Sequence, residues 1–116
     1  MRLGTWVCDL KPKTRSFDLY NSSTINERHR HRFEFNSDYR ERLEKAGLII
    51  AGTSPDGSLV EIIELENHPF YVGAQFHPEF LSKPNYSHPL FKGFVAAALS
   101  RRVGIAKHLE QKASSK

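Results

Sequence analysis

Two β-branched runs, Leu48 to Gly52 and Leu59 to Leu65, are separated by Ser54-Pro55-Asp56-Gly57, with proline and glycine where tight turns use them. That spacing predicts a hairpin. It also fixes a frame for its neighbours. Asn36 or Ser37 can cap a helix with an apolar stripe of Tyr39, Leu43 and Ala46, which Gly47 ends at the C′ position. After the Asn67-His68-Pro69 turn, Phe70 to Phe76 is apolar throughout, as a strand covered on both faces would be.

Upstream, Thr5 to Leu10 reads as a strand and Ser16 to Tyr20 as a short helical turn. From Glu27 to Asn36 charged residues alternate with His and Phe. Arg28, Arg30 and Arg32 fall on one face, and His29, His31, Phe33 and Phe35 on the other. Pro89 suits the first position of a helix from Leu90 to about Arg102.

The net charge of +4 in 116 residues suggests nucleic acid only until it is located. Met1 to Leu99 holds 12 basic and 12 acidic residues, so the whole excess lies in a basic end, Ser100 to Lys116. That end is expected to be a solvated, partly disordered tail (100–116) behind a neutral body (1–99). Between Glu27 and Arg42, five arginines face four acids, too balanced for a phosphate tract. His29 and His31 would need further converging ligands to hold zinc, and no metal site is expected. One cysteine cannot form an internal disulfide and fits a reducing compartment. The longest apolar run, Val95 to Leu99, is far short of the roughly 20 residues of a membrane span, and the N-terminal residues lack a charged-then-apolar signal pattern. A cytoplasmic protein without nucleic-acid or membrane partners is expected.

The chemistry concentrates in Gln75-Phe76-His77-Pro78-Glu79. Pro78 fixes its own φ and biases His77 toward extended backbone. Residues i and i+2 of an extended stretch project to one side, roughly 6 to 7 Å apart. Glu79 can therefore orient the His77 imidazole, whose second nitrogen stays free to take a proton. On spacing alone, a solvated turn after a buried strand explains the same residues equally well.

The phrase Gln75-Phe76-His77-Pro78-Glu79 resembles the C-terminal signature of class I (triad) glutamine amidotransferases, in which a Cys-His-Glu set hydrolyses glutamine to glutamate and ammonia. Glu27 to Asn36, Leu59 to Glu64 and His88-Pro89-Leu90-Phe91 resemble the CTP synthase family in particular, from Met1-Arg2-Leu3-Gly4 to about Leu99. The resemblance implies an α/β fold, the C-terminal fragment of a class I glutamine amidotransferase (flavodoxin-like) domain. It implies His77 as base, Glu79 as its orienter and Arg32 as the group that binds the α-carboxylate of glutamine, a task suited to a planar two-pronged donor. Arg28 and Arg30 are then ion-paired structural neighbours.

Cys8 is the only cysteine, but Trp6-Val7-Cys8-Asp9-Leu10 lacks the glycines of the family's Gly-x-Cys-x-Gly elbow. It is expected to be a partly buried thiol. The resemblance thus implies glutamine as substrate, and as partners the remainder of a CTP synthase chain carrying the cysteine and further copies of the full enzyme. ATP and Mg²⁺ are expected in the synthetase domain, with no cofactor bound by this chain. Loss of the nucleophile costs on the order of 10⁶ in rate for a serine protease, so the isolated chain is expected to be inactive. A pattern that runs unbroken into Met1 points to truncation. Rival readings are a non-catalytic polypeptide that binds a full-length homologue, and a fragment of another triad amidotransferase such as GMP synthase.

Overall fold

The structure, a computed structural model, describes residues 2–114, with side chains described over 2–104. Five strands form one sheet in the order β2-β1-β3-β4-β5. They are β1 (Arg2–Leu10), β2 (Thr24–His31), β3 (Leu48–Thr53), β4 (Val60–Leu65) and β5 (Val72–Ala74), and each neighbouring pair is antiparallel. Short helices α1 (Arg15–Tyr20) and α2 (Arg40–Lys45) precede a long α3 (Pro89–Ser114).

The predicted hairpin forms as β3 and β4, closed by Ser54 N donating to the Leu59 carbonyl at 2.9 Å. Asp56 stitches the turn by accepting from the Ser54 hydroxyl and from the Ser58 amide and hydroxyl, and these donors hold its carboxyl down at about 2. The sheet curls so far that the chain beyond β5 returns to β2, where the His77 amide donates to the Arg28 carbonyl at 2.9 Å. Cys8, Leu10, Ile25, Ala51, Ile62, Phe76 and Leu90 fill the inside of the curl.

Four expectations need correction. β2 ends at His31 rather than Asn36: its last described pair is His31 with Arg2, and Arg32 to Asn36 are irregular with no ladder among the described residues. β5 is three residues long on the sheet's edge and only half-buried, not a strand covered on both faces. The capped helix does begin after Asn36, whose side chain accepts from the Asp38 amide, but as a 3₁₀ turn leading into α2. Its stripe is not packed, with Tyr39 and Leu43 both exposed. Finally, α3 continues past Arg102 to Ser114, since no proline follows and a single glycine, Gly104, costs a helix only about 1 kcal/mol. Ser115 and Lys116 of the expected tail lie outside the described residues.

Glycine serves close packing at Gly52, where an added Cβ would lie 2.9 Å from the Cys8 sulfur and 3.0 Å from two Ile62 carbons. Gly52→Ala should therefore destabilise by about 1–3 kcal/mol through overpacking. A urea midpoint equal to that of the parent protein would refute the tight fit.

Candidate functional site

His77 is extended (φ −106°, ψ 91°) and caps a single 3₁₀ turn, Pro78–Phe80. The pair therefore meets across a turn and not, as the spacing suggested, along an extended stretch. The His77 Nδ1–H donates to Glu79 Oε1 at 2.7 Å. A carboxylate only accepts, so the proton sits on Nδ1 and Nε2 is left as the acceptor. Nε2 has no hydrogen-bond partner among the described residues. The imidazole donor holds the Glu79 carboxyl below the usual carboxylate range, which keeps it ionised at neutral pH. Phe80 stacks on the imidazole, centroids 4.9 Å apart and planes 14° apart, and the Arg28 guanidinium lies 6.0 Å from the Phe80 ring. Arg28 is thus a ring neighbour. Neither Arg28 nor Arg30 has the expected ion pair among the described residues.

Arg32 lies exposed on the irregular segment after β2. No hydrogen bond joins it directly to His77. The two are tied through the backbone bond from His77 to Arg28 and through Gln75 Nε2, which donates to the Phe33 carbonyl at 3.2 Å. Cys8 is fully buried, and burial first, then the nearby Glu61, pushes its thiol far up, so it stays protonated.

Beneath this surface runs a buried polar chain that the sequence pattern did not disclose. Arg2 forks onto Glu34, Nε to Oε1 and Nη2 to Oε2, both 2.7 Å, and its Nη1 donates to Glu61. His31 Nδ1–H donates to the Phe33 carbonyl at 2.9 Å, so a neutral His31 accepts at Nε2 from His29 Nδ1, 2.8 Å away. His29 Nε2 then lies 3.9 Å from Glu61 with no hydrogen bond. The edge of the His29 ring meets Phe76, next to His77, at 5.8 Å. A second buried cluster joins Glu27 to the Tyr20 hydroxyl (2.7 Å) and to His88 Nε2 (2.5 Å). Glu64 caps α1 by accepting from the Arg15 and Ser16 amides. The available signal was Glu61 and Glu64 within a β-branched run, since a strand that buries carboxylates must pair them.

Burial and Arg2 lower the pKa of His29 from its usual 6.5. The unfolded chain takes up a proton near 6.5 that folded His29 refuses until lower pH. Stability therefore falls as pH falls through that window. Glu34, lowered from 4.5 chiefly by the Arg2 hydrogen bonds, adds a loss in the same direction at more acidic pH. Urea midpoints should drop between pH 7.5 and pH 5.5, and His29→Asn should flatten that slope. An unchanged slope in the variant would assign the effect elsewhere.

An imidazole oriented by an ionised carboxylate, with its outer nitrogen free, is an arrangement that can take up and give back a proton. The chain belongs to the class-I glutamine amidotransferase family, whose model matches residues 4–97. It is 63% identical over 98 residues to the CTP synthase of Chloroflexus aurantiacus, covering 84% of this chain and 18% of that protein. To the CTP synthase of Desulfotalea psychrophila it is 55% identical over 104 residues, 90% of this chain and 19% of the relative. The fold matches the Trypanosoma brucei CTPS glutaminase domain with bound acivicin at a TM-score of 0.81 and 38% identity, over 86% of this chain and 40% of that one. The described sheet is thus part of that α/β domain, and the chain spans about a fifth of the length of the curated relatives it matches. Among the described residues no group of three or more His, Cys, Asp or Glu side chains could hold a metal ion, and no helix is long and apolar enough to cross a membrane.

Proposed function

We propose that this chain supplies the base, its orienter and the substrate-carboxylate arginine of a glutaminase that feeds ammonia to CTP formation. The observation that carries this reading is the 2.7 Å bond from His77 to ionised Glu79, with Nε2 left free. His77 Nε2 takes the proton from a cysteine thiol as the sulfur attacks the carboxamide carbon of glutamine. The same proton goes to the departing ammonia when the C–N bond breaks, and His77 then deprotonates the water that releases glutamate. Glu79 holds the tautomer throughout and stabilises the imidazolium. Arg32, exposed and unpaired among the described residues, is the two-pronged donor for the α-carboxylate.

The attacking cysteine is not the buried Cys8. In this reading it belongs to the length of the relatives outside the matched stretch, as do ATP and Mg²⁺, which activate UTP. The working enzyme is a cytoplasmic homo-oligomer, and no cofactor is held by this chain. A second reading, a non-catalytic polypeptide that docks on a full-length homologue, is favoured by the exposed α3 stripe of Phe91, Val95, Leu99 and Val103 at four-residue spacing.

The two part in a graft. The 98 matched residues of the Chloroflexus aurantiacus CTP synthase are replaced by those of this chain, and CTP formation is followed with glutamine or with ammonium. Glutamine-driven turnover within about tenfold of the parent supports the catalytic reading, a gap of about 1.4 kcal/mol in barrier. Loss of glutamine-driven turnover with ammonium-driven turnover intact would overturn it.

A further inference from the structure

We infer that Arg2, Glu34, His31 and Gln75 form a clamp that positions Arg32 for the glutamine carboxylate, a role that rests on the reading of Arg32 given above. Residues 32–36 follow the end of β2 at His31 and have no strand partner among the described residues. A long, exposed side chain on an unladdered segment would sample many orientations and would have to be ordered by each substrate that bound.

The two residues that follow Arg32 are nevertheless fixed. The Phe33 carbonyl accepts from two directions, from His31 Nδ1 at 2.9 Å and from Gln75 Nε2 at 3.2 Å. The Glu34 carboxylate is held by both prongs of Arg2 at 2.7 Å, while the third donor of that guanidinium is committed to buried Glu61. Gln75 also ties its amide to the Glu61 carbonyl at 2.9 Å. The segment bearing Arg32 and the segment bearing His77 are thus referred to one buried strand, β4.

This arrangement is more than sheet stability requires. Arg2 and Glu61 already pair without Glu34, whose side chain is 28% exposed and adds little as a partly solvated partner. What the Glu34 fork does add is direction, since a bidentate guanidinium–carboxylate pair fixes orientation where a point charge would not. Four donor atoms from three side chains converge on the two residues that follow Arg32, and none on Arg32 itself. A segment held at its neighbours with its own guanidinium free is built to present that group.

The test uses the grafted enzyme, with amide exchange measured also in the full chain. Glu34→Gln and Gln75→Ala should each raise the KM for glutamine about tenfold while kcat and ammonium-driven turnover change less than about twofold, the pattern of lost ground-state binding. Amides of residues 32–35 should exchange faster, and the melting temperature should stay near the parent value. An unchanged KM, or a KM that rises only in step with lost thermal stability, would overturn the clamp, as would unchanged exchange. Arg32→Ala separates the two levels. If it leaves KM unaltered, the carboxylate role of Arg32 fails; if it raises KM while Glu34→Gln and Gln75→Ala do not, only the clamp fails.

Discussion

Replacing His77 with alanine in the grafted enzyme should reduce glutamine-driven turnover by a factor on the order of 10⁶, while turnover driven by added ammonium is unchanged. The size follows from the two duties of one imidazole. Removing the equivalent base of a serine protease alone costs about as much as removing the whole triad, because the members act as a unit. A cysteine nucleophile softens this loss somewhat, since a few per cent of a free thiol is already ionised at pH 7. The residual rate of the variant should therefore climb with pH through the ionisation of the thiol near roughly 8.5, where hydroxide does part of the work of the missing base. Glu79→Gln should cost less. Loss of the orienting carboxylate removes about 10⁴ where that acid is buried, but Glu79 is half-exposed and Phe80 still stacks on the ring, so part of the orientation survives. Initial rates with glutamine and with ammonium over pH 6 to 9 give both comparisons. A His77→Ala enzyme within about a hundredfold of the parent would mean that another group is the base.

The contact of His77 with Glu79 was legible because the two lie two residues apart, and a proline between them restricts the backbone whatever the rest of the chain does. The hairpin was legible for the same reason, its turn chemistry being confined to Ser54 through Ser58. What escaped depends on partners far away in the chain. The last described pair of β2, His31 with Arg2, joins residues about thirty positions apart, so alternation of side chains through Phe35 could not reveal where the ladder stops. The shortness of β5 is likewise a property of its pairing with β4, which reaches only from Ala74 to Val72. Side chains obey the same limit. Arg28 was expected to find an acid and instead lies over Phe80, while the buried acids bind groups 48 to 61 residues away, Ser16 to Glu64, Arg2 to Glu61 and Glu27 to His88. Alternation did separate Arg28 and Arg30 from His29 and His31 on opposite faces of β2, and the structure buries the His29 face and exposes the arginines.

Removing one member of the Arg2–Glu61 pair should cost a large share of the fold's stability. The Glu61 side chain is fully buried and that of Arg2 is 7% exposed, so Glu61→Ala leaves a guanidinium in the core with one donor edge unsatisfied. Breaking a buried pair by taking one partner typically costs about 3–5 kcal/mol, against a total stability of about 5–15 kcal/mol for a domain. Glu34 retains its two bonds to Arg2 and moderates the loss without replacing the inner contact. The double variant Arg2→Leu with Glu61→Leu should behave otherwise. Both desolvated charges are gone, two apolar side chains occupy the space, and replacement of whole buried pairs is often neutral or stabilising. Its loss should therefore be well below the sum of the two single losses, with a coupling of about 1–3 kcal/mol between positions in direct contact. Urea unfolding of the four proteins at one pH measures that cycle, and strictly additive losses would show that Arg2 and Glu61 act on stability independently. The double variant also keeps Glu34 but removes its anchor. If the pair serves to hold the segment beside Arg32, the leucine enzyme should be stable and yet bind glutamine poorly, which separates what the pair does for the fold from what it does for the site.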